Sequence, residues 1–220
     1  MRKLVLRRGD VSQCIADSIA TSANRYLVGN ASPNHWRFNG RKSADGAIRA
    51  AGGPELEALA NAALVTTKTG ALDPGDALVT PSAGNLRTSC RHVIHAVAPD
   101  GLYGGQDPSA NEALLHKTFA SILSAAEQMG SSSVACPALG CGVQGFRPAV
   151  SARAALAVAN IWLQSGTLSS VRTLTFVIRA EDVWRSWLLV AEKQLGSPHE
   201  TETHEDARIR MLSWAAGRFR

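Results

Sequence analysis

Short, nearly continuous apolar runs alternate along the chain with longer stretches in which apolar residues recur every three or four positions. The short runs predict strands at Lys3–Leu6, Cys14–Ala20, Asp76–Thr80, His92–Ala98, Ser133–Pro137 and Arg172–Ile178. Few of them alternate polar with apolar residues, so they are expected to be buried on both faces of a sheet. The helical period marks Gly46–Ala51, Glu55–Leu64, Ala110–Met129, Pro148–Gln164 and Glu181–Leu195. Strand followed by helix, repeated, specifies an α/β fold: a three-layer α/β/α domain on a mixed, mainly parallel central sheet. The pattern lapses after Leu195. Residues 196–206 are polar, contain Pro198 and read as a linker, whereas 207–220 place Ile209, Met211, Leu212, Trp214 and Phe219 on a short C-terminal helix or tail. The domain itself is expected to occupy residues 1–195.

Composition narrows this picture. The 220 residues are 45% hydrophobic and 19% charged, which suits one globular core rather than a disordered chain. No run of about 18 apolar residues is present, so no membrane association is expected. Arg2, Lys3, Arg7 and Arg8 make the start basic, but no apolar segment of a secretory signal follows. An intracellular location, cytoplasmic or nuclear, is therefore expected, with a mitochondrial one left open. The 4 cysteines, Cys14, Cys90, Cys136 and Cys141, form no C-x-x-C pair and read as reduced thiols, with no metal site. A net charge of +5 favours acidic partners such as phosphates. The cations are dispersed and not interleaved with aromatics, so nucleic acid is only weakly supported as a partner. A monomer is expected.

Three loops carry candidate chemistry. Gly9-Asp10-Val11-Ser12 follows the first strand, and Asp10 there offers a carboxylate acceptor to an exocyclic amine. Between Thr21 and Pro54, Asn24 ends a strand and Asp45-Gly46 opens a helix, with Asp45 as its N-cap. The third loop runs from Cys136 to Pro148, between a strand and a helix. Its Gly140, Gly142 and Gly145 are spaced to let backbone N–H groups approach phosphate oxygens. It lacks the lysine of a P-loop and does not open a first βαβ unit as the G-x-G-x-x-G dinucleotide motif does, which sets aside both common glycine-rich nucleotide motifs.

Together these segments resemble the macrodomain family, in order as well as content. Gly9-Asp10-Val11-Ser12 is similar to its first motif, and Thr21-Ser22-Ala23-Asn24 to its Asn-Ala-Ala-Asn segment. Asp45-Gly46-Ala47-Ile48 with Ala50-Ala51-Gly52, then His92 to Pro99, match further segments, and Pro137-Ala138 with Gly142 to Phe146 resembles the phosphate loop. The likeness spans roughly residues 3 to 190 and is nearest to the MacroD-type hydrolases. It implies ADP-ribose, free or attached to protein, as the ligand, with no cofactor. Asp10 and Val11 would hold the adenine. Pro137, Ala138, Gly140, Cys141, Gly142, Val143, Gln144, Gly145 and Phe146 would wrap the diphosphate. Asn24, Ala44, Asp45 and Gly46 would lie at the distal ribose, Asn24 and Asp45 being catalytic. The implied reaction is removal of mono-ADP-ribose from acidic side chains, or deacetylation of O-acetyl-ADP-ribose, by a positioned water.

Three departures bear on that reading. The loop between Asn24 and Asp45 is longer than the family's glycine-rich one and carries His35, Trp36, Arg37 and Phe38, with Gly40 its glycine nearest Asp45. Gln144 stands where catalytic relatives have an aromatic residue. Arg179 stands where an aromatic stacks on adenine, a place in which a guanidinium can also stack. A module that reads ADP-ribose without cleaving it therefore stays open as an alternative, and binding of RNA or poly(A) as a weaker one.

Overall fold

The computed structural model describes residues 2–29, 43–101, 108–165, 169–195 and 200–202. In chain order the strands are β1 (Lys3–Arg8), β2 (Ser18–Ser22), β3 (Ala77–Pro81), β4 (His92–Ala96), β5 (Ser133–Pro137), β6 (Thr173–Ile178) and β7 (Glu200–Glu202). The helices are α1 (Ala44–Val65), α2 (Pro108–Gln128), α3 (Pro148–Gln164) and α4 (Glu181–Leu195). One 7-stranded sheet runs in the order β3-β4-β2-β5-β6-β1-β7. Its pairings are parallel except β3 with β4.

Successive strand residues point to opposite faces, and both faces are covered. Leu174, Phe176 and Ile178 of β6 enter the core beneath α2, α3 and α4, whereas Val177 enters the one beneath α1. Ala20 and Ile94 face the first core; their neighbours Ile19 and Val93 face the second. This is the three-layer α/β/α arrangement, and it explains why the strands read as unbroken apolar runs. Phe176 anchors the larger core, edge-on to Phe119 at 5.9 Å between ring centres and 5.2 Å from the Trp187 ring.

Three elements differ from expectation. The strand predicted at Cys14–Ala20 begins only at Ser18. Cys14 instead closes a short 3-10 turn over Val11–Gln13, its N–H donating to Val11 O at 3.1 Å. The Asp17 carboxylate is turned aside to accept from Ser132 N at 2.7 Å, and pairs with Arg91 at 3.1 Å. Second, Gly46–Ala51 and Glu55–Leu64 are the two arms of α1, broken at Gly53, whose φ of 65° and ψ of −166° are not helical. Pro54 follows, so the break and the restart are both written in that dipeptide. Third, the stretch read as a linker contributes β7, in which Glu200 pairs with Val5 on the open edge of β1. Edge pairing needs only backbone groups, so a polar sequence supplies it without an apolar signature. The segment 207–220 and the longer loop with His35, Trp36, Arg37, Phe38 and Gly40 lie outside the described residues. Among the described helices none is long and apolar enough to cross a membrane.

Candidate functional site

The C-terminal ends of β1, β6, β5 and β2 lie side by side, and the loops leaving them enclose a cleft of about 180 Å³. Parallel sheets place ligands there, where strand ends and helix starts leave backbone groups unpaired. The cleft has three parts.

One end is apolar. Val11, Val177, Ile178, Ala180 and Val183 form its walls, with Asp10 and Arg179 at the rim. Asp10 Oδ1 caps the 3-10 turn, accepting from Ser12 N at 3.0 Å and Ser12 Oγ at 2.8 Å. Its other oxygen, Oδ2, lies 3.7 Å from the Arg179 guanidinium. One carboxylate oxygen thus fixes the loop, while the second faces Arg179 beside the apolar slot. That arrangement suits a planar base with an amine on its edge.

The middle is the loop after β5. Gly140 has φ +79°, and a Cβ there would meet the Phe146 ring at 2.9 Å. Phe146 N–H donates to Gly140 O at 2.9 Å, Gly145 N–H to Gly142 O at 3.0 Å, and Gly101 N–H to Gln144 O at 2.7 Å. Gly145 and Phe146 therefore shape the loop from beneath and are not on the cleft wall; Pro137, Ala138, Gly140, Cys141, Gly142, Val143 and Gln144 are. The N–H groups of Gly142, Val143 and Gln144 have no partner among the described residues. Gly142 differs from Gly140, because a Cβ on it would meet nothing within 4 Å. No internal contact demands that glycine. Burial pushes the Cys141 thiol up, so it stays protonated at neutral pH.

The far end is made by Ser22, Ser43, Ala44 and the amide of Gln144, whose Nε2 is 3.5 Å from Ser22 Oγ. Ser43, not Asp45, is the N-cap of α1: its Oγ accepts from Gly46 N at 2.9 Å. Asp45 lies two positions past the cap, inside the first turn. Gly46, whose N–H that cap occupies, is off the wall.

Asn24 and Asp45 also stand behind the wall. Asn24 is committed to its own turn, donating from Nδ2 to Gly29 O at 2.8 Å and accepting on Oδ1 from Tyr26 N at 3.1 Å and Val28 N at 3.3 Å. Asp45 is 2% exposed. Its Oδ1 accepts from Thr21 Oγ1 at 3.1 Å and its Oδ2 pairs with Arg49 Nε at 3.0 Å. Burial raises the Asp45 carboxyl above the usual range, with Arg49 and Thr21 opposing. Arg49 also donates through Nη2 to Leu27 O. Leu27, with φ 52°, is the non-glycine residue in the left-handed region among those described. That conformation costs about 1–2 kcal/mol, held by its fully buried side chain and by the Arg49 bond.

Seven wall residues escaped sequence reasoning: Gly9, Ser22, Ser43, Val177, Ile178, Ala180 and Val183. Ser43 alone carried a local signal, a capping side chain just before an acidic first turn. Among the described residues no group of three or more His, Cys, Asp or Glu gathers to hold a metal ion.

Comparison with known proteins gives a consistent answer. A family model described as Macro domain matches residues 20–155. An O-acetyl-ADP-ribose deacetylase 1 from Pantoea vagans is 30% identical over 185 residues, 84% of this chain and 97% of that protein. An O-acetyl-ADP-ribose deacetylase from Escherichia fergusonii is 35% identical over 149 residues, 68% of this chain and 73% of the relative. Among solved structures, an Oceanobacillus iheyensis macrodomain mutant with ADPR superposes with a TM-score of 0.73 at 24% identity, covering 87% of this chain and 93% of that one.

Proposed function

Since this chain belongs to the macrodomain family, we propose that its cleft binds ADP-ribose and that it hydrolyses esters at the distal ribose. The observation carrying the binding is the row of uncommitted N–H groups at Gly142, Val143 and Gln144, set between an apolar slot and a polar far end. Amides aimed at one place hold a pyrophosphate without lysine or arginine. The adenine would fill the slot with its amine on Asp10 Oδ2, and the distal ribose would reach Ser22, Ser43 and Ala44.

The hydrolytic part draws support from the relatives named O-acetyl-ADP-ribose deacetylase and from Asp45 in the first turn of α1. Water would add to the ester's acyl carbon, or to the anomeric carbon for an ADP-ribosylated acidic side chain. The ester C–O bond breaks and water's proton goes to a base, which returns it to the departing ribose oxygen on the first route and releases it to solvent when a carboxylate departs on the second. A carboxylate raised by burial is a better base than an exposed one. A second reading, binding without cleavage, is favoured by one observation: Asp45 and Asn24 are off the cleft wall, and their hydrogen bonds go to Thr21, Arg49 and the turn ending at Gly29.

Calorimetry with ADP-ribose and a release assay on a mono-ADP-ribosylated Glu substrate and on O-acetyl-ADP-ribose separate these readings. Asp10→Ala should weaken binding by about 1.5–3 kcal/mol, roughly 10- to 150-fold, the value of a hydrogen bond to a charged group. Asp45→Ala should abolish release while retaining binding. Wild-type protein that binds but releases nothing from either substrate is the non-cleaving module. An Asp10→Ala variant with an unaltered dissociation constant would mean the slot does not hold adenine.

A further inference from the structure

We propose that Arg49 is a positioning residue: one guanidinium fixes Asp45 and the Asn24–Gly29 turn as a single unit behind the far end of the cleft. The kinetic part of this rests on the hydrolase reading above; the structural part does not.

Arg49 Nε lies 3.0 Å from Asp45 Oδ2, one helical turn away, and Nη2 donates to Leu27 O across the gap between α1 and the turn after β2. The side chain is only 18% exposed, so water screens neither contact strongly. Both partners need it. Asp45 is 2% exposed and, among the described residues, would otherwise hold only the Thr21 hydroxyl. Leu27 holds a left-handed backbone, and its carbonyl is where that conformation is tied to the helix. The turn is built around the guanidinium. Gly29 sits at φ +75°, and a Cβ there would meet Arg49 Nε at 2.8 Å and Cδ at 2.9 Å. Asn24 closes the same turn from within through Tyr26, Val28 and Gly29. The residues at the distal-ribose end are thus coupled: moving the carboxylate moves the turn. A lysine could keep the charge but could not reach both partners in a fixed fork.

Among the described residues the charged group facing Asp45 is Arg49 on α1, and the same guanidinium helps keep the buried His95 of β4 neutral. Thr21 on β2 faces it as a hydroxyl. With His95 uncharged above pH 5, Arg49 is the cation that sets the carboxylate's protonation.

Arg49→Gln and Arg49→Lys test this in the full chain. The Asp45 carboxyl carbon, followed by NMR against pH, should titrate about one pH unit or more higher in Arg49→Gln than in wild type, and near the wild-type position in Arg49→Lys. Exchange of the Val28 and Tyr26 amide hydrogens should rise at least about tenfold in both variants, since neither retains the fork. ADP-ribose affinity should stay within about threefold. On the hydrolase reading, the acidic limb of kcat/KM moves up in Arg49→Gln and is restored by lysine. A catalytically silent wild type removes the hydrolase reading alone, because carboxyl titration and amide exchange still decide the coupling. Asp45 titrating at one pH in all three proteins, or turn amides indifferent to both substitutions, overturns it. Should Arg49→Gln not fold, Arg49→Lys decides by amide exchange.

Discussion

His95 lies on β4 with its ring 1% exposed, Nε2 3.0 Å from Thr80 Oγ1 and Nδ1 without a partner among the described residues. Burial, with the nearby Arg49 charge adding to it, lowers its pKa from 6.5 to about 4. The folded protein therefore resists a proton that the unfolded chain accepts. Stability from this group is complete above pH 6.5 and is lost as pH falls from there towards 4, reaching about 3 kcal/mol at the lower end. His95→Gln should flatten that acid limb, measured as urea midpoint against pH, at some cost at neutral pH. His92 shifts in the same direction, so a residual slope is expected. A variant whose midpoint falls over pH 6.5 to 4 as steeply as wild type's would assign the loss to other groups. Nothing in the sequence marked His95 as more than a core histidine, and the structure leaves it in that role, behind the cleft and facing the Arg49 fork.

Among the elements, glycines separate positions needed by the chain from one free for a ligand. Gly53 breaks α1 at φ 65°, ψ −166°, yet a Cβ there meets nothing within 4 Å. Gly53→Ala should therefore destabilise through backbone strain alone, by about 1–3 kcal/mol, with ligand affinity retained. Gly142 has the same free space but no left-handed φ. Gly142→Val should leave the melting temperature nearly unchanged and weaken ADP-ribose at least about tenfold by filling the path to the loop amides. A Gly142→Val protein that binds normally would place the diphosphate elsewhere. Sequence reading reached Gly142, because the glycines after β5 follow a buried strand; it left a gap in the helical period before Glu55 without singling out Gly53. It failed where the deciding contact is remote. Asp45 read as a cap because a short acidic side chain before a helix usually is one, and Ser43 two positions earlier took that role. The Asp45–Arg49 spacing of four was visible, but the Leu27 carbonyl that makes the pair a tether lies on another element. Val183 reaches the cleft only because α4 turns back over β6, and β7 has no side-chain signature at all.

At the scale of the molecule, the cleft joins segments that the chain holds far apart: the turn after β1, the end of β2 with the start of α1, and the loops after β5 and β6. These segments belong to both cores. Val11, Ala44 and Val177 pack with the layer under α1, whereas Ile178, Val183, Ala138 and Cys141 pack with the layer under α2 to α4. A ligand spanning the slot, the amides and the far end would therefore bridge the two layers across the sheet's edge, where no strand pairing does so. Binding to the folded state alone stabilises it by about 2.7 kcal/mol at a hundred times the dissociation constant. For a domain of this size that is a rise of about 5–10 °C in Tm. The shift should be largest for ADP-ribose, smaller for ADP and smallest for adenosine at equal concentration, because each shorter ligand leaves one part of the cleft unbridged. Amide exchange should slow together at Val11, Val143 and Ala44 with ADP-ribose, and at Val11 alone with adenosine. Equal protection by both ligands would mean that the three parts act as separate pockets rather than as one site held together by what it binds.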